Sequence, residues 1–151
     1  MLIRYMTCDD YEDVYKLWLS IEGFAIRSID DSKEGIERFL KRNPDMSVVA
    51  VEDGKVIGSI LCGHDGRRGY LNHVCVAKEY RKKSIGTKMW KMAVKALERE
   101  KISKATLVAF ETNENGNHFW KDAGWKERKD LNTYDFIINK ENIVTFNSDG
   151  K

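Results

Sequence analysis

Val74-Cys75-Val76-Ala77-Lys78-Glu79-Tyr80-Arg81-Lys82-Lys83-Ser84-Ile85-Gly86-Thr87 passes from an apolar strand through a basic turn into a long amphipathic helix. A helix start presents unpaired backbone N–H groups and the positive end of its dipole, so a phosphate placed there meets several donors at once. Gly86 keeps side-chain bulk away from an approaching anion, and Arg81, Lys82 and Lys83 add positive charge. A strand directly before such a turn points to a phosphorylated cofactor rather than a free ion.

Upstream of this stretch, Leu2 to Met6 reads as a strand and Asp9 to Ile21 as a helix with Val14, Leu17, Trp18 and Ile21 on one face. Asp31 and Glu34 have capping-box spacing before a second helix with an Ile36, Phe39 and Leu40 stripe, which Asn43-Pro44 ends. Met46–Glu52, Lys55–His64 and Arg68–Val76 alternate like strands across Asp53-Gly54 and Asp65-Gly66, dipeptides suited to tight hairpins. Downstream, Ile85 to Glu100 reads as a helix with Ile85, Met89, Met92, Ala93 and Ala96 or Leu97 on its apolar face. Lys104–Phe110 is a strand, Asn115–Ala123 a short helix closed by Gly124, and Trp125–Lys129 with Tyr134–Ile138 a final hairpin. A strand, a helix and a further strand after a meander imply a right-handed parallel crossover. The expected fold is therefore α/β (α+β): a mixed, mostly antiparallel central sheet with one parallel pair and helices on both faces. Residues 1–140 form one domain, and 141–151 read as a polar tail.

Arg81-Lys82-Lys83-Ser84-Ile85-Gly86 resembles the Arg/Gln-x-x-Gly-x-Gly/Ala signature of the GNAT superfamily, the acyl-CoA-dependent N-acetyltransferases. Asn113-Glu114-Asn115-Gly116-Asn117-His118-Phe119-Trp120-Lys121-Asp122-Ala123-Gly124-Trp125 resembles that family's later Asn-x-x-Ala-x-x-Phe-Tyr-x-x-x-Gly-Phe segment. The likeness spans residues 2 to 138. Ser84 stands where the family has its first glycine, and Lys78 where it often has proline. A positive φ at position 84 would strain a serine, whereas a hydroxyl there could instead cap the helix; the residues leave both open.

The resemblance implies acetyl-CoA as cofactor, held by Val74, Cys75, Val76, Arg81, Lys82, Lys83, Ser84, Ile85, Gly86, Thr87, Asn113, Phe119 and Trp120. It implies direct transfer of acetyl to an amine of a small molecule or protein, with the Val74 amide donating to the thioester carbonyl and Val76 bonding the pantetheine. The family's base often stands at positions matching Tyr70 or Asn72. His73 has the opposite strand parity and is expected on the other sheet face. By the residues alone, Glu111 follows the parallel strand at its C-terminal end, where ligand sites open in such sheets. Trp120 replaces a tyrosine that protonates the leaving thiolate, a task an indole N–H cannot perform. Cys75 alternates away from Val74 and Val76, which argues against an acyl-cysteine. The family's acceptor pocket corresponds to Glu22–Ser32, with Gly23, Phe24, Ile26 and Arg27, and to the late hairpin.

The departures at Ser84 and Trp120 also fit a CoA-binding regulator or inactive relative, and Arg67-Arg68 with Arg81–Lys83 fit, more weakly, a nucleic-acid-binding module. A net charge of +2 from nearly balanced acids and bases argues against nucleic acid as a partner. No apolar run approaches the length of a membrane span, and the acidic N-terminal stretch is no signal peptide. Cys8, Cys62 and Cys75 lack C-x-x-C spacing, so a reduced, cytoplasmic setting is expected; His64, His73 and His118 have no metal-ligand spacing. The expected assembly is a monomer or homodimer.

Overall fold

Alternation and helical periodicity place most of the regular elements where the sequence puts them. In a computed structural model describing residues 1–147 they run β1 (Leu2–Tyr5), a 3-10 turn (Cys8–Asp10), α1 (Tyr11–Ser20), β2 (Ala25–Arg27) and α2 (Lys33–Arg42). There follow β3 (Val48–Glu52), β4 (Lys55–His64), β5 (Gly69–Val76), a second 3-10 turn (Lys78–Tyr80), α3 (Ile85–Arg99), β6 (Ala105–Leu107), α4 (Glu114–Asp122) and β7 (Val144–Phe146). The main sheet has the order β1-β3-β4-β5-β6, antiparallel except for the parallel β5–β6 pair. Asp53 and Gly54 both take positive φ, 50° and 74°, as the two-residue turn between β3 and β4 requires.

Each face of the sheet is covered by helix. On one face, Val14, Leu17 and Trp18 of α1 and Ile36 and Leu40 of α2 pack with Val49, Val56, Leu61 and Cys75. On the other, Ile85, Met89, Ala93, Ala96 and Leu97 of α3 pack with Val48, Ala50, Ile57, Ile60, Cys62 and Leu71. Trp18 is fully buried, and its indole N–H donates to Ser59 Oγ at 3.1 Å, which removes the polar cost of placing it there.

Five local features depart from the sequence reading. Ser32, not Asp31, caps α2, its hydroxyl accepting from the Gly35 N–H at 3.0 Å, because the Asp31 carboxylate is already engaged by the Arg27 N–H at 2.7 Å. The β4–β5 register shifts between the pairs Ser59↔Cys75 and Leu61↔Asn72, so that His73 and Val74 both stand opposite Ile60 in a bulge. The parallel strand β6 ends at Leu107 rather than Phe110.

The hairpin expected at Trp125–Lys129 and Tyr134–Ile138 does not form. Trp125 packs its ring against Trp90 and Trp120, and its N–H closes on the Trp120 carbonyl at 2.9 Å, so it caps α4 instead of opening a strand. Tyr134, Phe136 and Ile138 are 88%, 89% and 94% exposed, so the alternation that suggested a strand has no core to serve.

Val144–Phe146, within the stretch read as a polar tail, instead pairs antiparallel with Ala25–Arg27 as β7. Side chains direct that pairing: Asn142 Oδ1 accepts from the Ile29 N–H at 2.9 Å, Ser28 Oγ from the Ile143 N–H at 2.8 Å, and Asn147 donates to the Trp18 and Ile21 carbonyls at 2.7 Å each. Residues 148–151 of that stretch lie outside the described residues.

Candidate active site

The site begins where the sheet comes apart. Strands β5 and β6 pair only through Gly69↔Ala105, Tyr70↔Thr106 and Leu71↔Leu107. Beyond Leu71, β5 continues through Asn72–Val76, while the chain after Leu107 departs, with Val108 77% exposed. His73 sits at that point with φ of +49°, and the bulge it makes reverses the alternation of β5. Leu71 lies in the α3-side core and Val74 and Val76 pack against that core, whereas Cys75 lies in the α1-side core. By alternation from Leu71, Tyr70 and Asn72 face the α1 side. His73 joins them there, its ring 4.8 Å from that of Trp18 on α1, so the parity argument that set His73 on the other face is corrected by the bulge.

Past Val76 the chain makes the Lys78–Tyr80 turn and enters α3 through Arg81–Ser84, four exposed residues. Arg81 Nε donates to the Val76 carbonyl at 3.0 Å, tying the basic turn to the end of β5, and Lys83 Nζ lies 5.4 Å from the centre of the Tyr80 ring. Lys82 and Ser84 both have φ of +63°, and the Ser84 hydroxyl makes no cap bond. Of the two alternatives the sequence left open at position 84, the structure takes the positive φ. Two left-handed residues at the entry of α3 cup the backbone into the kind of concavity that binds anions.

Gly86 lies in the first turn of α3. A Cβ there would stand 3.3 Å from the Phe119 ring and 3.9 Å from a Val76 methyl, so a side chain would fill the space between β5, α3 and α4. Asn113 caps α4, its Oδ1 accepting from the Gly116 N–H at 3.0 Å. Trp120 is locked among aromatic rings, with centroids 5.0 Å from Phe119, 5.0 Å from Trp125 and 6.4 Å from Trp90. The buried Trp90 Nε1 has no partner among the described residues, and Thr87, Trp90 and Phe119 line a cleft of about 380 Å³ beside it.

The other sequence candidates are more scattered. Glu111 is exposed on the loop from β6 to α4, and Tyr70, 44% exposed, belongs to the part of β5 still paired with β6. Cys75 is buried 3.5 Å from Ser59 Oγ, and burial pushes its thiol up to about 11, so it is no ready nucleophile at neutral pH.

One arrangement had no signal in the sequence pattern. His73 Nε2 lies 2.8 Å from Asp31 Oδ1, with side chains only 14% and 5% exposed, and the imidazole is held between Trp18 and Phe24 at 4.8 and 4.7 Å. Asp31 is itself fixed: its Oδ2 accepts from the Arg27 N–H, and its carbonyl accepts from the Tyr11 hydroxyl at 2.7 Å. The partners stand 42 positions apart in the sequence. Only the bulge brings them together.

Residues 9–125 match the model of the Acetyltransferase (GNAT) family. An acetyltransferase of Sodalis glossinidius is 35% identical over 104 residues, covering 69% of each chain, and one of Yersinia pestis (strain Pestoides F) is 28% identical over 144 residues, covering 95% of this chain and 96% of its own. Among solved structures, the PaiA N-acetyltransferase of Thermoplasma acidophilum, crystallised with coenzyme A, superposes with a TM-score of 0.73 at 17% identity over 97% of this chain and 98% of its own. The aminoglycoside acetyltransferase AAC(6')-Iy, in complex with a bisubstrate analogue, superposes with a TM-score of 0.69 at 16% identity over 90% of this chain and 97% of its own. A sheet parted beside a basic helix entry, and a family match over most of the described residues, lead to one conclusion: this chain belongs to the GNAT family of acetyltransferases.

Proposed function

We infer that the protein transfers the acetyl group of acetyl-CoA to an amine by direct attack in a ternary complex. The observation that carries this reading is the parting of β5 from β6 immediately before the Arg81–Ser84 turn. An extended pantetheine fits a slot whose backbone groups no longer pair across the sheet, and a pyrophosphate fits the cupped backbone and unpaired N–H groups that follow. In this reading Arg81, Lys82, Lys83, Ser84, Ile85, Gly86 and Thr87 hold the pyrophosphate, Val76 and Cys75 flank the pantetheine, and the Val74 amide donates to the thioester oxygen as charge develops on it. Asn113, Phe119 and Trp120 border the cofactor from α4. Tyr70, on the part of β5 still paired with β6, and Glu111, on the loop between β6 and α4, are assigned catalytic roles. The structures similar in fold support the reading, since one was crystallised with coenzyme A and another with the bisubstrate analogue CoA-S-monomethyl-acetylneamine.

The test is thermal. Acetyl-CoA at a hundredfold excess over Kd is expected to stabilise the protein by about 2.7 kcal/mol. Gly86→Glu places a carboxylate against Phe119 and Val76 in the slot and is expected to remove that stabilisation while the protein stays folded. A melting shift that persists in folded Gly86→Glu would put the cofactor elsewhere.

A further inference from the structure

The His73 bulge is costly where it stands. A non-glycine residue in the left-handed region is strained, and this one sits at the point where the sheet opens. It sets the imidazole on the α1 side of the gap, across the sheet from α3 and the basic turn. With Nε2 2.8 Å from the Asp31 carboxylate, which can only accept, a neutral ring donates from Nε2–H and carries its lone pair on Nδ1. Nδ1 has no hydrogen-bond partner among the described residues, whereas both Asp31 carboxylate oxygens and the Asp31 carbonyl are engaged. A carboxylate that orients an imidazole whose second nitrogen is free has the arrangement of a general base.

We propose that Asp31 and His73 form the acid–base pair for the acceptor amine, a role that rests on the acetyl-transfer reading above. The ammonium group of the acceptor gives one proton to His73 Nδ1. The neutral nitrogen attacks the thioester carbon, the C–N bond forms and the C–S bond breaks. The remaining surplus N–H proton goes to the departing sulfur, and His73 returns its proton to water. Asp31 orients the ring and is a positioning residue. Asp31 is the titratable group in direct hydrogen-bond contact with the imidazole; Tyr11 donates to the Asp31 carbonyl, Tyr15 packs edge-on to Trp18, and Cys75 lies in the same α1-side core as Trp18.

Glycinamide, a small primary amine, serves as the acceptor probe, with release of the CoA thiol followed from acid to alkaline pH and acetyl-CoA binding followed by melting shift in the same samples. Wild type is expected to exceed uncatalysed aminolysis, with an acid limb in kcat/KM. His73→Gln retains a donor to Asp31 and is expected to lose about 10²-fold or more in kcat and to lose that limb, while keeping the acetyl-CoA shift. Asp31→Asn should displace the limb and lower kcat by less. Two results would overturn the proposal. One is a His73→Gln enzyme that is slower but keeps the wild-type pH limb, as a merely bracing histidine would give; the other is a wild type that binds acetyl-CoA yet does not accelerate glycinamide. A wild type with no acetyl-CoA shift at all brings down the cofactor reading and the pair with it. Should neither variant fold, the His73 ring titration measured by NMR in wild type with bound acetyl-CoA must coincide with the kinetic limb, and a mismatch refutes the assignment.

Discussion

At the residue scale, Ser84 is where sequence and backbone disagree most openly. Its φ of +63° is a conformation that glycine adopts at little steric cost, and no side-chain bond compensates for it. Ser84→Gly is therefore expected to raise stability by about 0.5–1 kcal/mol, the relieved strain less the extra freedom of glycine in the unfolded chain. Urea unfolding midpoints measure it, and a destabilised glycine variant would mean that the hydroxyl contributes a contact in solution. Trp120 is a further departure from the family pattern. Its ring is wedged between Phe119 and Trp125, so it acts in packing and has no hydroxyl for leaving-group protonation.

At the scale of elements, the entry of α1 depends on one ion pair. Arg4 on β1 reaches both carboxylate oxygens of Asp10 at 2.8 Å, and the Thr7 N–H donates to the same carboxylate at 2.8 Å. The Arg4 hydrogen bonds hold Asp10 below the usual carboxylate range, against the opposing effect of partial burial. A depressed carboxyl pKa stabilises the fold fully above the unfolded value of about 3.9 and loses that contribution as pH falls through the lower folded value. Asp10→Asn should cost about 1–2 kcal/mol near neutrality, the part-exposed Arg4 keeping the figure modest. The gap between variant and wild type should close in acid, as unfolding free energies across that range will show; a gap independent of pH would assign the cost to packing instead.

At the scale of the whole molecule, the described chain divides into a two-faced core and a late segment outside it. Residues 126–138 belong to no strand or helix, and every one is exposed. Backbone groups with neither ladder nor burial exchange and open freely. Chymotrypsin is expected to cut at Tyr134 and Phe136 before any site in β3–β5 or α3, with mass spectrometry of early fragments as the readout. First cuts elsewhere would show that this segment is covered in solution. Its neighbours on both sides are held: Trp125 among the aromatic rings, and Asn142–Asn147 along β2 and the end of α1. Nicking should therefore leave both fragments associated.

Periodicity, turn dipeptides and the basic strand-to-helix passage were enough to determine the meander, the three long helices, the crossover and the position of the basic turn before α3. All of these follow from local pattern, because which face is apolar and which dipeptide can turn are decided within a few residues. Tertiary structure alone decided the bulge at His73, the Asp31–His73 pair, the aromatic capture of Trp125 and the pairing of β7 with β2. The bulge is one extra residue in a register shared with β4, which the β5 sequence does not reveal. Asp31 read as a helix cap because Asp at that spacing commonly is one, and only the approach of a residue 42 positions away gave it another use. Tyr134–Ile138 alternates as a strand does, yet alternation builds a strand only where an edge and a core are there to receive it.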